Sequence, residues 1–195
     1  MESSQTTGAK TLNDKLAPTI TSVSLASTNA TIAVTFSEGV FNTNGGSGAL
    51  EASDFAFSIS GGTASLSSAT PTSISASGNV YTLGIGLSGT PNGSETLTVN
   101  PVDNGVYDGA GNETSTSQSN NTATLNDKLP ATITGVSLAS TNATIAVTFS
   151  EGVFDTNGGS GALEAADFAF SISGGTASLS SATPTIISAS GNVYT

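Results

Sequence analysis

The chain has 195 residues with 14 acidic against 3 basic side chains, a formal net charge of -11, and neither cysteine nor histidine. Disulfides, zinc sites built on Cys or His, haem ligation, and any mechanism with an imidazole base or thiol nucleophile are therefore excluded. An acidic surface of this kind repels phosphate backbones and anionic membranes, so nucleic acid is not an expected partner and divalent cations are.

Residues 1–10, MESSQTTGAK, align loosely with 114–123 and read as the tail of a preceding repeat or as disorder. Strand A is expected at 19–25, on Val23 and Leu25, and strand B at 30–36, where Ile32, Val34 and Phe36 alternate with Ala33 and Thr35. A short helical turn is expected within Ala49 to Ser53. Strand C follows at 54–59 on Phe55, Phe57 and Ile59, a broken strand D at 63–76, and strand E at 79–87 on Leu83, Ile85 and Leu87. Strand F at 95–100, carried by Leu97 and Val99, and strand G at 117–124 complete the unit. Gly45-Gly46, Gly61-Gly62, Gly78-Asn79 and Asn92-Gly93 punctuate these runs as turns. Gly84 and Gly86 read as strand glycines that permit close packing, because no helix follows to receive a phosphate.

Residues 11–82 return at 124–195 with a shift of 113 positions and six differences in 72 aligned residues. The differing pairs are Ala17/Pro130, Pro18/Ala131, Ser22/Gly135, Asn42/Asp155, Ser53/Ala166 and Ser73/Ile186. The domains expected are a complete repeat over 11–123 and a second repeat over 124–195 without the counterpart of 83–123. The fold class that follows is all-β: an immunoglobulin-like Greek-key β-sandwich in tandem, its second copy truncated. In that copy the apolar faces at Ile145, Val147, Phe149, Phe168 and Phe170 are expected to be partly uncovered. The copy would then be disordered, swapped, or completed by strands from another molecule, giving a homo-oligomer or filament.

The succession APTITSVSL, TIAVTFSEGV, SDFAFSISGG, NVYTLGIGL, SETLTVNPV, YDGAGN resembles the bacterial immunoglobulin-like repeats of S-layer proteins and large surface adhesins. Its clearest points are Thr35-Phe36-Ser37-Glu38 at the close of strand B and Asp108-Gly109-Ala110-Gly111-Asn112 before strand G. The resemblance implies a non-catalytic spacer or adhesion module of an exported protein, extracellular at the cell surface, with neighbouring repeats as its partners. No apolar run reaches the roughly 18 residues of a membrane span, and the N-terminus lacks the pattern of a signal peptide, so an export signal is expected elsewhere.

Unit 11–123 holds eight acids, and seven of them fall in the linker, the B–C loop or the F–G loop, which share one pole of such a sandwich. Only Glu95 is placed elsewhere. Gathered carboxylates repel unless protonated or bridged, and hard oxygen ligands suit Ca²⁺. The linker Leu12-Asn13-Asp14-Lys15, repeated at Leu125-Asn126-Asp127-Lys128, resembles in part the calcium linkers of cadherin-type modules. A junction site would draw on Asp14, Glu38, Asp108 and Asn112, with Asp54 and Asp103 in reserve and Asp127 as the repeat of Asp14. The same residues also read as turn formers and solubilising surface, with Asp108 and Asn112 holding a loop through Asx turns.

Two functional readings remain beside each other. One is a spacer; the other is a binding module that holds a glycan or protein with the B–C and F–G loops. Tyr81 and Tyr194 occupy the same position in the two copies and read as core or corner residues rather than a sugar platform. The absence of Trp and of an aromatic-rich cleft argues against glycosidase chemistry by paired carboxylates, and no enzyme activity is expected.

Overall fold

Alternation of large apolar and small polar residues builds the first sheet. β1 (Ile20–Leu25) and β2 (Thr31–Phe36) pair antiparallel, Val23 opposite Val34, with a register shift between Ile20 and Ser22. The Ile20 N–H beside that irregularity donates instead to Gln118 Oε1 at 2.8 Å. The chain then forms β3 (Val40–Phe41), a 3₁₀ turn (Ala52–Asp54), β4 (Phe55–Ser60), β5 (Ser65–Leu66), β6 (Ile74–Ser77), β7 (Val80–Gly84) and β8 (Leu87–Ser88). β9 (Thr96–Pro101), β10 (Tyr107–Asp108) and β11 (Thr122–Thr124) follow. The structure, a computed structural model, describes residues 10–195, and the expectation for 1–10 lies outside the described residues except at Lys10.

One sheet has the order β1-β2-β7-β6 and the other β11-β9-β4, with two small ribbons, β3 with β10 and β5 with β8. In the lettering used for the expected strands these are A-B-E-D and G-F-C, the seven-strand arrangement of a constant-type sandwich. The inner faces meet in one core: Ile32, Val34 and Leu83 from one sheet, Phe55, Phe57, Leu97 and Val99 from the other. Phe36, Phe55 and Tyr81 form an aromatic group across it, with ring centroids 5.8–6.3 Å apart. Each such side chain contributes about 1.5–3 kcal/mol by leaving water. Gly84 and Gly86 are close-approach positions: a Cβ on them would lie 2.4 Å from Thr72 Oγ1 and 2.3 Å from Ser67 Oγ.

The seven expected strands are all present, several shorter than their sequence patterns. Strand D is two pieces, β5 and β6, and strand E divides into β7 and β8, while strand G shrinks to β11. The β3–β10 ribbon was not expected. It pairs Tyr107 with Phe41 and Asp108 with Val40, which lays the loop after β2 against the loop after β9.

The chain divides into two compact units, one running to Leu129 and one from Pro130 to Thr195. The first unit continues past 123 because its tail is anchored. Leu125 enters the core, 2% exposed, with its N–H on Glu95 O, and Lys128 N–H donates to Pro91 O. Asn126 is held by Asn29: Asn29 Nδ2 donates to Asn126 O at 2.7 Å, and Asn126 N–H donates to Asn29 Oδ1 at 2.8 Å. Asn29 sits at φ +61°, a left-handed conformation that asparagine tolerates better than most residues.

In the second unit β12 (Ile133–Leu138), β13 (Ile145–Phe149), β14 (Ala189–Ser190) and β15 (Val193–Tyr194) assemble in the order β12-β13-β15-β14. This is the first sheet over again, with the same Val136 to Val147 register and the same shift after Ile133. Residues 168–173, the counterparts of β4, join no ladder among the described residues. Phe149, Phe168 and Tyr194 keep their aromatic group, with centroids 5.7–6.4 Å apart. Ile145, Phe149, Phe168 and Phe170 are half-buried, but Val147, on the central strand between β12 and β15, is buried. Leu138, Ile172 and Ile186 are among the side chains left most open.

Candidate cation site

Three acids converge at one end of the first unit. Asp14 precedes β1 in an Asx turn, its Oδ1 accepting the Leu16 N–H at 2.9 Å. Glu38 follows β2, two residues before β3, and Asp108 closes β10 opposite Val40. One carboxylate oxygen from each lies within 4.8 Å of the other two. A Ca²⁺ ion takes oxygen ligands at about 2.3–2.6 Å, so a single ion between the three would reach all of them. The group runs from exposed Asp14 through half-buried Glu38 to buried Asp108, which leaves its outer side to water.

Asp108 is held from within. Its Oδ1 accepts the N–H groups of Ala110 at 2.9 Å and Asn112 at 2.7 Å, and its Oδ2 accepts Asn112 Nδ2 at 2.7 Å. Burial pushes its pKa up, but the Asn112 side chain and the Asn112, Ala110 and Gly111 amides together outweigh burial and hold it below the ordinary carboxylate value. Asp108 is therefore a fixed anion. Glu38 is displaced the other way, first by burial and then by the negative charges of Asp108 and Asp14. A cation between them removes that repulsion.

Asn112 also donates through Nδ2 to Leu16 O at 3.4 Å, so it ties the loop of Asp108 to the linker that carries Asp14. Its donor atoms serve the neighbours of the site, which makes it a positioning residue in this arrangement. Asp54 and Asp103 stand apart from the three. Asp54 Oδ2 accepts the Glu51 N–H at 2.7 Å and closes the 3₁₀ turn, and burial raises its pKa. Asp103 Oδ2 accepts from Asn104 Nδ2 at 2.9 Å. Asp127 repeats the local role of Asp14, accepting the Leu129 N–H at 2.8 Å.

The acid that sequence reasoning set aside is the most deeply engaged. Glu95 is fully buried, and its Oε1 accepts the Thr63 N–H at 2.7 Å and the Ala64 N–H at 2.9 Å, while Oε2 accepts the Asn92 N–H at 3.1 Å. Burial alone would raise its pKa, but these amides together lower it to about 2. The one sequence signal for this is Gly61-Gly62, which a carboxylate must approach closely: a Cβ on Gly62 would sit 2.1 Å from Glu95 Cδ.

No family model matches the chain, and no curated protein matches it. Among solved structures it is similar to the N-terminal part of the bacterial S-layer protein SbsC, at 24% identity and a TM-score of 0.40, over 68% of this chain. The chain spans about 31% of the length of that structure. Among the described residues no helix is long and apolar enough to cross a membrane.

Proposed function

We propose that this chain is a non-catalytic structural repeat of an exported cell-surface array, whose sandwich is stiffened where its leading linker meets it by a divalent cation of the Ca²⁺ class. The convergence of Asp14, Glu38 and Asp108 carries this reading, because it joins a linker residue to two loops that are distant in sequence. An ion bound there would fix the linker against the sandwich at the pole from which the unit is led. The 113-residue period supports the spacer role, since near-identical copies suit a task that each unit repeats. A non-catalytic role is supported by the chemistry of the acids: Asp108 and Glu95 are committed to backbone amides.

Calorimetric titration of the full chain with CaCl₂ tests the cation, with hydrogen exchange of residues 10–18 and 37–40 as the structural readout. Saturable binding to one site, with slowed exchange in both segments, is expected. A flat titration together with unchanged exchange would remove the cation from the proposal and leave a bare spacer. Asp108→Asn should abolish binding while the Val40–Asp108 pairing survives.

A further inference from the structure

The second unit presents an apolar groove of about 510 Å³, lined among others by Leu138, Asn142, Ile145, Phe170, Ile186 and Tyr194. We infer that this groove is a receptor for an extended polypeptide segment of the pattern Glu-x-Leu-x-Val followed by Leu-Asn, bound by strand addition. The occupant is read from the first unit, where an almost identical face is already covered.

There β9 covers β4: Ile59 stands opposite Leu97 and Phe57 opposite Val99, and Leu97 and Val99 are fully buried. Leu125 of the tail enters the same core. The counterparts of Phe57 and Ile59 are Phe170 and Ile172, half-buried and 51% exposed, on a stretch that joins no strand ladder among the described residues, although the Phe170 N–H donates to Ala182 O at 2.7 Å. Ile186 replaces Ser73 at the rim and is 76% exposed, which makes the second face more apolar than the first.

Two polar features specify the occupant further. In the first unit the Thr63 and Ala64 amides hold Glu95, and the loop before them keeps Gly61 at φ +76° and Gly62 at φ +61°. Gly174 and Gly175 hold the same conformation, φ +75° and +67°, with no atom within 4 Å of where a Cβ would stand. Thr176 and Ala177 are exposed, and no carboxylate reaches their amides among the described residues. The loop is thus shaped for a carboxylate at the head of the incoming strand. Asn142 keeps φ +56°, close to the +61° of Asn29, and lines the groove where Asn29 clasps Asn126. It is the matching clasp for a Leu-Asn tail.

The chain's own donor does not meet this demand. Segment 83–129 occurs once, while two copies of its receptor, 11–82 and 124–195, are present. A second molecule that lends its segment uncovers its own first unit, so exchange between copies gains no burial. Residues 1–195 thus hold one donor segment for two receptor faces.

The test uses a labelled peptide of residues 83–129 added to the full chain, read by anisotropy and by hydrogen exchange. One-to-one binding is expected, with exchange slowed at 168–177 and unchanged at 55–60. Glu95→Gln in the peptide and Asn142→Ala in the chain should each weaken binding at least about tenfold, and Phe170→Asp should abolish it. A chain carrying residues 83–129 again after Thr195 should protect 168–173 as fully as 55–60. Absence of saturable binding, binding indifferent to all three substitutions, or an extended chain that leaves 168–173 unprotected would overturn the inference. So would self-association of the unmodified chain that protects 168–173, since the occupant would then be a second copy.

Discussion

Replacing Glu95 by glutamine should destabilise the first unit at neutral pH and remove the share of that unit's acid sensitivity that Glu95 carries. Glu95 is fully buried, and its pKa is lowered from the ordinary 4.5 to about 2 by the Ala64, Thr63 and Asn92 amides acting against burial. A group depressed in the folded state contributes stability that is fully present above its unfolded pKa and lost as pH falls through the folded one. The window therefore runs from about pH 4.5 down to about pH 2. At 1.36 kcal/mol per pH unit the whole difference is about 3 kcal/mol. The glutamine would keep one acceptor oxygen but turn an NH₂ group toward amide donors, so a loss of similar size is expected at pH 7. The assay is native-state hydrogen exchange of peptides covering 55–60 and 96–101 in the full chain, at pH values from 6 to 2 with the intrinsic rates corrected. Wild type should lose protection down this range, while the variant, already weaker at pH 6, should lose less, the remainder belonging to groups such as Asp108. Equal loss in the variant at every pH, or a wild type flat between pH 4.5 and 2, would show that the charge on Glu95 contributes nothing.

The repeat supplies internal controls for the remaining predictions. Asn29→Ala removes the three side-chain bonds to Asn126 and should cost the first unit roughly 2–3 kcal/mol with lost protection at 125–128. Asn142→Ala, at an exposed position, should cost the second unit no more than about 1–2 kcal/mol, the conformational share at positive φ. Gly62→Ala forces Glu95 off its amides and should cost more than about 3 kcal/mol by denaturant titration, whereas Gly175→Ala meets nothing and should cost about 1–2 kcal/mol. Glu38→Gln relieves the repulsion from Asp108 and Asp14, so in chelator it should raise thermal stability at pH 7 slightly, and in CaCl₂ it should lower it relative to wild type. A variant that shifts the same way in both buffers would speak against a shared cation.

How far the sequence discloses this molecule depends on whether a feature is local or distant. Alternation within TIAVTF and FAFSIS marks β2 and β4 directly, and the acids of the linker and loops are visible as letters. That Asp14, Glu38 and Asp108 meet follows from the sandwich topology, which sets the loop after β2 beside the loop before β11. Asp54 and Asp103 lie in the same loops, yet each has a local backbone or side-chain partner, and no composition argument separates them from the three that converge. Glu95 was illegible for the opposite reason. Two of its amide partners, Thr63 and Ala64, lie 32 and 31 residues away, and amides carry no letter in a sequence. The β3–β10 ribbon escaped because two-residue strands have no period to detect.

The two copies also separate what each sheet needs in order to form. β12 pairs with β13 in the register of β1 with β2, shift included, although in the second unit no β9 or β11 equivalent stands across from them. That hairpin is closed by Asn142 at positive φ and by the Asn142 to Ala139 backbone bond, both inside the turn. Its information is therefore local. The identical FAFSIS segment is a strand at 55–60, where β9 supplies six paired residues, and is no strand at 168–173. Its conformation is set by a partner from beyond the turn, since an edge with no neighbour gains no ladder bonds to offset the entropy of extension. One sheet is thus written in its own hairpins and the other in long-range pairing, which makes the second sheet the point at which a repeat of this kind is completed by its own chain or by another.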